Sequence, residues 1–174
     1  MQIQGETSVN KLIVLFVFDK MESALSERTV VEMCTAGNWL NYMDCIELLP
    51  KLLEDGFICR LPSSEEEPIY SITSDGRESL NSFYITNPKS VREEISAFVK
   101  KNSGNLRNRQ ECKSDYYQNT DGTYTVFLKI LAPLQPMMEL KFVIPDKKTA
   151  QSIYKNWESK ASELYSAIYD TLVD

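Results

Sequence analysis

The stretch Asn41-Tyr42-Met43-Asp44-Cys45-Ile46-Glu47-Leu48-Leu49-Pro50-Lys51-Leu52-Leu53-Glu54-Asp55-Gly56, followed directly by Phe57-Ile58-Cys59-Arg60-Leu61, decides the fold. Its first part reads as a helix capped by Asn41 and closed by Asp55-Gly56, with Tyr42, Ile46, Leu49 and Leu53 expected on one face. Its second part reads as a strand. The polar, acidic Ser63-Ser64-Glu65-Glu66-Glu67 then leads to Pro68-Ile69-Tyr70-Ser71-Ile72, which makes a two-stranded ribbon with an exposed tip. Working back from Asn41, Gly37-Asn38 breaks an earlier helix that runs to about Thr35 and begins at Ser26, the right residue for an N-cap. Glu27 there favours the positive end of the helix dipole, and Leu25 is placed to staple to Val30. Before it, residues 8–21 read as a mostly buried helix with Val9, Leu12, Ile13 and Phe16 at helical spacing and Ser8 as its cap. Three helices followed by a ribbon is the order of a winged helix-turn-helix.

Downstream, Thr73-Ser74-Asp75-Gly76-Arg77-Glu78-Ser79-Leu80 resembles the entry into the helix that follows the wing in many winged-helix regulators, and Leu80, Phe83 and Tyr84 continue at helical spacing. A boundary falls at Thr86-Asn87-Pro88, opening an amphipathic linker helix with Val91, Ile95, Phe98 and Val99 on one stripe. Asn102-Ser103-Gly104-Asn105 reads as a turn-rich junction. Residues 112–117 and 123–131 flank Asn119-Thr120-Asp121-Gly122 as a hairpin. A third strand over residues 137–144 alternates Met138, Leu140, Phe142 and Ile144 with Glu139, Lys141 and Val143. Pro145-Asp146 starts a long helix whose apolar positions, Ala150, Ile153, Trp157, Ala161, Leu164, Ile168 and Leu172, form one stripe. The expected fold is α+β. A winged helix-turn-helix domain (1–86) and a linker helix (87–104) lead to a small three-stranded antiparallel sheet covered by the long C-terminal helix (105–174).

Composition narrows the chemistry. The 174 residues contain no histidine, which removes histidine bases, Ser-His-Asp and Cys-His nucleophile systems and every His-containing zinc site. Cys34, Cys45, Cys59 and Cys112 form no C-x-x-C pair, so no metal or cofactor is expected, and they read as small apolar residues. No Gly-rich phosphate loop is present, and the chain is not expected to be an enzyme. The longest apolar run, residues 12–18, is too short to span a bilayer. With free-looking thiols and no signal peptide, a cytoplasmic location away from membranes is expected.

Several strings spread over nearly the whole chain resemble an uncharacterised winged-helix family of Gram-positive anaerobes, catalogued as domain of unknown function 4364. They are Tyr42 with Leu48-x-x-Leu-x-x-x-Gly56-x-Ile58, then Ser71-Ile72-Thr73-x-x-Gly76-Arg77, then Pro88-x-Ser90-Val91-Arg92-Glu93-Glu94-Ile95. To these add Asp115-Tyr116-Tyr117, Asp121-Gly122-x-Tyr124-x-Val126, and Leu140-x-Phe142-x-Ile144-Pro145 leading to Ala150 and Asn156-Trp157. The resemblance implies a winged-helix fold and, by analogy, transcription regulation. It carries no established activity. Pro50 departs from the pattern, in which an ordinary helix former stands there. It either kinks the third helix or is tolerated on a solvent face.

As a regulator, the protein would place its third helix in the major groove of DNA. Asn41 is then a candidate for adenine, Tyr42 for a phosphate, and Arg28, Asn38, Lys51 and Arg60 for flanking contacts. The alternatives are equally plain: Asn41 as a cap only, Tyr42 as half-buried core, Arg28 and Lys51 as solvated charges. Charge opposes DNA binding. Residues 1–86 carry six basic against fourteen acidic side chains, a net −8, whereas residues 87–174 carry thirteen against eleven. DNA affinity comes largely from neutralising phosphates, yet Asp44, Glu47 and Glu54 mark the third helix and Glu65, Glu66 and Glu67 the wing. The alternative function is therefore an acidic winged-helix module that docks on a basic protein partner. The apolar first helix and the amphipathic linker helix also motivate a homodimer. Tyr116, Tyr117 and Tyr124 near Trp157 read as an effector pocket or, more simply, as sheet-to-helix core.

Overall fold

The structure, a computed structural model, describes residues 2–62, 67–131 and 136–173, with side chains from residue 8 onward and excepting that of Pro136. Among the described residues the chain is mixed α+β, with six helices and two three-stranded antiparallel sheets. It divides into two units, Met1–Ser103 and Gly104–Asp174.

In the first unit, α1 (Gln2–Met21) is a core helix, every residue from 12 to 18 being at most 5% exposed. Seven consecutive apolar residues point all round a helix, so it must be covered all round. The cover comes from α2 (Glu27–Ala36), α3 (Tyr42–Glu54), α4 (Ser74–Ser82) and strand β3 (Ile69–Ile72). Because α1 begins before Ser8, that residue is not its cap. Leu25 and Ser26 form a short strand, β1, that pairs antiparallel with β3, while β2 (Ile58–Leu61) pairs on the other side of β3, giving the order β1-β3-β2. Ser26 serves twice, since its Oγ also caps α2 by accepting the Thr29 N–H at 3.2 Å.

Helix α3 starts where expected, with Asn41 Oδ1 accepting the Asp44 N–H at 2.9 Å. Its buried face is not the expected one. Cys45, Leu48, Leu49 and Leu52 face the core, whereas Tyr42 is 59% and Leu53 39% exposed. Two apolar stripes overlap at Leu49, and the one that carries no tyrosine hydroxyl to solvate turns toward α1 and α2. Pro50 lies on the exposed side and the helix continues past it to Glu54, so the missing N–H is tolerated.

Thr73 joins three pieces of backbone: its Oγ1 donates to the Gly56 carbonyl at 2.7 Å and accepts the Gly76 N–H at 3.1 Å, capping α4. A Cβ at Gly76 would overlap the Phe57 carbonyl oxygen, which is why the position is glycine. Helix α4 buries Leu80 but ends at Ser82, so Phe83 and Tyr84 lie beyond it and are exposed. Arg92 sits over the Tyr84 ring at 3.7 Å. Helix α5 (Lys89–Glu111) buries Ile95 and Val99 and sets Phe98 edge-on to Trp39 at 5.4 Å. The turn expected around Gly104 does not form. One helical glycine costs about 1 kcal/mol relative to alanine, too little to break a 23-residue helix.

In the second unit, β4 (Cys112–Gln118), β5 (Tyr124–Leu131) and β6 (Pro136–Ile144) form a sheet in the order β4-β5-β6. The first turn closes with Gly122 at φ +86° and Asn119 N–H donating to the Thr123 carbonyl at 2.8 Å. Val126, Leu128 and Ile130 of β5 pack against Ala150, Trp157 and Ala161 of α6 (Lys147–Val173), with Met138, Leu140 and Ile144 of β6 beside them. Asp146 caps α6 through the Thr149 N–H at 2.9 Å. The apolar stripe of α6 is fully buried only as far as Ala161, and Tyr165 one turn on still packs half-buried against the sheet core. Leu164 and, further on, Tyr169 and Leu172 are exposed.

Candidate functional site

The surface where α2 meets the start of α3 holds four of the six candidate DNA-contacting residues, Arg28, Asn38, Asn41 and Tyr42. Gly37 closes α2, and Asn38 turns the chain with φ +54°, a left-handed conformation that asparagine tolerates. The Trp39 and Leu40 N–H groups both return to the Cys34 carbonyl, which fixes the angle at which α3 departs. Below this turn Cys34 and Cys45 are fully buried and interact. The Cys45 sulfur and burial together push the Cys34 thiol up, so it stays protonated and acts as packing. Cys112, in the second unit, is likewise pushed up to about 11, by burial first and then by the neighbouring Glu111 and Glu158.

Above the turn is an open groove of about 430 Å3. Helix α2 contributes Glu27, Arg28, Val31 and Glu32, residues that share one helical face by their i, i+4 spacing. Helix α3 contributes Tyr42 and Ile46 by the same spacing, and Glu67 and Pro68, just before β3, close the third side. Its floor is thus apolar and its rim carries three carboxylates and one guanidinium.

The six candidate DNA-contacting residues are all exposed but are not brought to one place. Arg28 and Tyr42 line the groove, with Asn38 and Asn41 at the turn beside it. The Oδ1 of Asn41 already accepts the Asp44 N–H of the cap, so a bidentate adenine contact has only its second lone pair to use. Lys51 lies near the far end of α3, about 13 Å along the axis from Tyr42, with its ammonium 3.9 Å from Glu47. Arg60 lies on β2, opposite Tyr70 of β3.

Of the candidate partner-binding acids, Glu47 and Glu54 share the outer face of α3 with Met43 and Pro50. Asp44 is partly exposed at its start, and Glu67 lines the groove. Glu65 and Glu66 lie outside the described residues. The cations of the first unit sit beside carboxylates at several points: Lys11 with Asp55, and Arg77 with Asp19 at 2.9 Å. In the second unit Arg109 pairs with Glu158 at 3.3 Å.

Sequence reading did not single out Glu27, Val31, Glu32, Ile46 and Pro68 as a surface. The signal was present in the paired i, i+4 spacings of α2 and α3, but only their packing sets those faces against each other. Tyr116 and Tyr124 pack on the core of the second unit, and Trp157 Nε1 donates to the Lys129 carbonyl at 3.1 Å, so these aromatics are sheet-to-helix core. Residues 12–18 of α1, and Ile95 and Val99 of α5, are buried within the chain, which removes the motive they supplied for a dimer. Among the described residues no helix is long and apolar enough to cross a membrane, and no three His, Cys, Asp or Glu side chains converge as metal ligands.

Neither the curated proteins nor the solved structures provide a match to this chain. The model of a family described as a domain of unknown function (DUF4364) matches residues 10–172, almost the full length, and the protein belongs to that family.

Proposed function

We infer that the first unit is a winged helix of a regulatory protein and that it meets a protein partner through the exposed side of α2 and α3. The winged-helix reading is supported by the chain order α1-β1-α2-α3-β2-β3 together with the sheet order β1-β3-β2. The observation that carries the choice of partner is the character of that surface. Tyr42, Met43 and Leu53 are exposed beside Glu47 and Glu54, and Lys51 lies against Glu47. A DNA backbone needs uncompensated cations at this surface, and apolar side chains ringed by acids suit a basic protein surface instead. Titration of the full chain against mixed-sequence duplex DNA at low salt tests the choice. No binding at low salt agrees with a protein partner, and binding with a steep salt dependence overturns it.

A second reading, a dimeric DNA-binding transcription regulator in the cytoplasm, is favoured by one observation: Arg28, Asn38 and Tyr42 are exposed around the start of α3. It calls for a two-fold dimer that sets two such helices one DNA turn apart, and light scattering over micromolar concentrations tests that requirement.

A further inference from the structure

The groove between α2 and α3 narrows the partner's chemistry, and the step rests on the protein-partner reading above. We propose that it docks a segment of a partner protein in which one aliphatic or aromatic side chain is flanked by lysine or arginine. Val31, Ile46 and Pro68 give the groove its apolar floor, with Tyr42 exposed at its edge, so what enters it is apolar. The rim carries Glu27, Glu32 and Glu67 against Arg28 alone. However Arg28 pairs among them, three carboxylates against one guanidinium leave two negative charges in excess. An acidic rim around an apolar floor selects a cation-flanked anchor and repels acidic segments and phosphates.

Three further features suit a peptide rather than a small molecule. The volume of about 430 Å3 is that of a small-ligand site, but the groove is open to solvent, whereas pockets for small ligands bury most of their guest. The exposed face of Tyr42 offers a cation–π seat for a flanking arginine. Met43, 60% exposed next to it, gives the adaptable apolar margin found where proteins bind extended partners.

A displayed library of random linear peptides, selected against the full chain, tests the proposal. Enriched peptides should carry an aliphatic or aromatic residue flanked by lysine or arginine. A synthetic peptide of the enriched sequence should bind at least about tenfold more weakly to Glu32→Lys and to Glu67→Lys, a change of about 1.4 kcal/mol for each charge reversal. Circular dichroism melting of both variants separates lost binding from lost folding, and Glu139→Lys, which belongs to the second unit and is not among the groove's lining residues, should bind as the unaltered chain does. Enriched peptides that are acidic, or whose affinity is untouched by the groove variants yet lost in Glu47→Lys or Glu54→Lys, leave the protein-partner reading in place and overturn the groove as its site. A selection with no peptide binder, alongside tight binding of duplex DNA, overturns both.

Discussion

The two helices α1 and α6 are both long and both rich in apolar residues, yet they are buried to opposite extents. Along α1 the apolar run is continuous, and α2, α3, α4 and β3 enclose it. Helix α6 has 27 residues and extends about 40 Å at 1.5 Å per residue. The longest strand beneath it has nine residues, about 30 Å. A sheet cannot cover a helix longer than its strands, so the stripe is buried at Ala150, Trp157 and Ala161 and emerges at Leu164 and Leu172. An apolar stripe thus states which face of a helix avoids water, and the dimensions of its neighbour decide how much of that face does.

The largest effect expected from this contrast is at Trp157, where the indole fills the sheet-to-helix core and its N–H is satisfied by the Lys129 carbonyl. Trp157→Ala should cost about 3–5 kcal/mol in the unfolding of the second unit, read by urea denaturation. A loss below about 1 kcal/mol would mean that α6 is held by something other than its first half. Gly76 is next, because the close approach of α4 to Phe57 helps seal α1. Gly76→Ala should cost about 1–3 kcal/mol by overpacking and leave the helical circular dichroism of the second unit in place.

A smaller effect is expected at the cap of α6. Hydrogen bonds from the Thr149 N–H and hydroxyl hold the Asp146 carboxyl below its ordinary value. With the folded value depressed, its contribution is present above the unfolded value and is lost as pH falls through the folded one, in the range below about pH 4. The melting temperature of Asp146→Asn should therefore fall less steeply with acid than that of the unaltered chain, and parallel slopes would remove this cap from the acid response. The smallest effect belongs to the exposed end of the same stripe. Leu172→Ala should stay within about 0.5 kcal/mol, since Leu172 is 79% exposed. A loss comparable to that of Trp157→Ala would show that this end is covered in solution.

Much of the first unit was legible because its punctuation is local. Ser26, Asn41 and Thr73 cap helices through hydrogen bonds that span three residues, so a short window suffices to find them. The strand β1 was not legible, because two residues carry no alternation and pair only when β3 arrives beside them. The site was half legible. Arg28, Tyr42 and Glu67 were named from the sequence, but for two competing functions, and nothing in the chain order says that they border one groove. For Lys51, a candidate cation for DNA, the i, i+4 spacing of Glu47 on the same helix already places a carboxylate within reach.

By itself, then, the sequence determined the order of most helices and strands, their caps, the turn at Gly122, the absence of histidine chemistry and the acidity of the first half. These follow from residue type and from interactions a few positions apart. The tertiary structure alone decided which of two stripes α3 buries, how far α6 is covered, and that three carboxylates from α2 and the approach to β3 ring an apolar floor. Those outcomes depend on which surfaces meet and over what length, and no single segment holds that information.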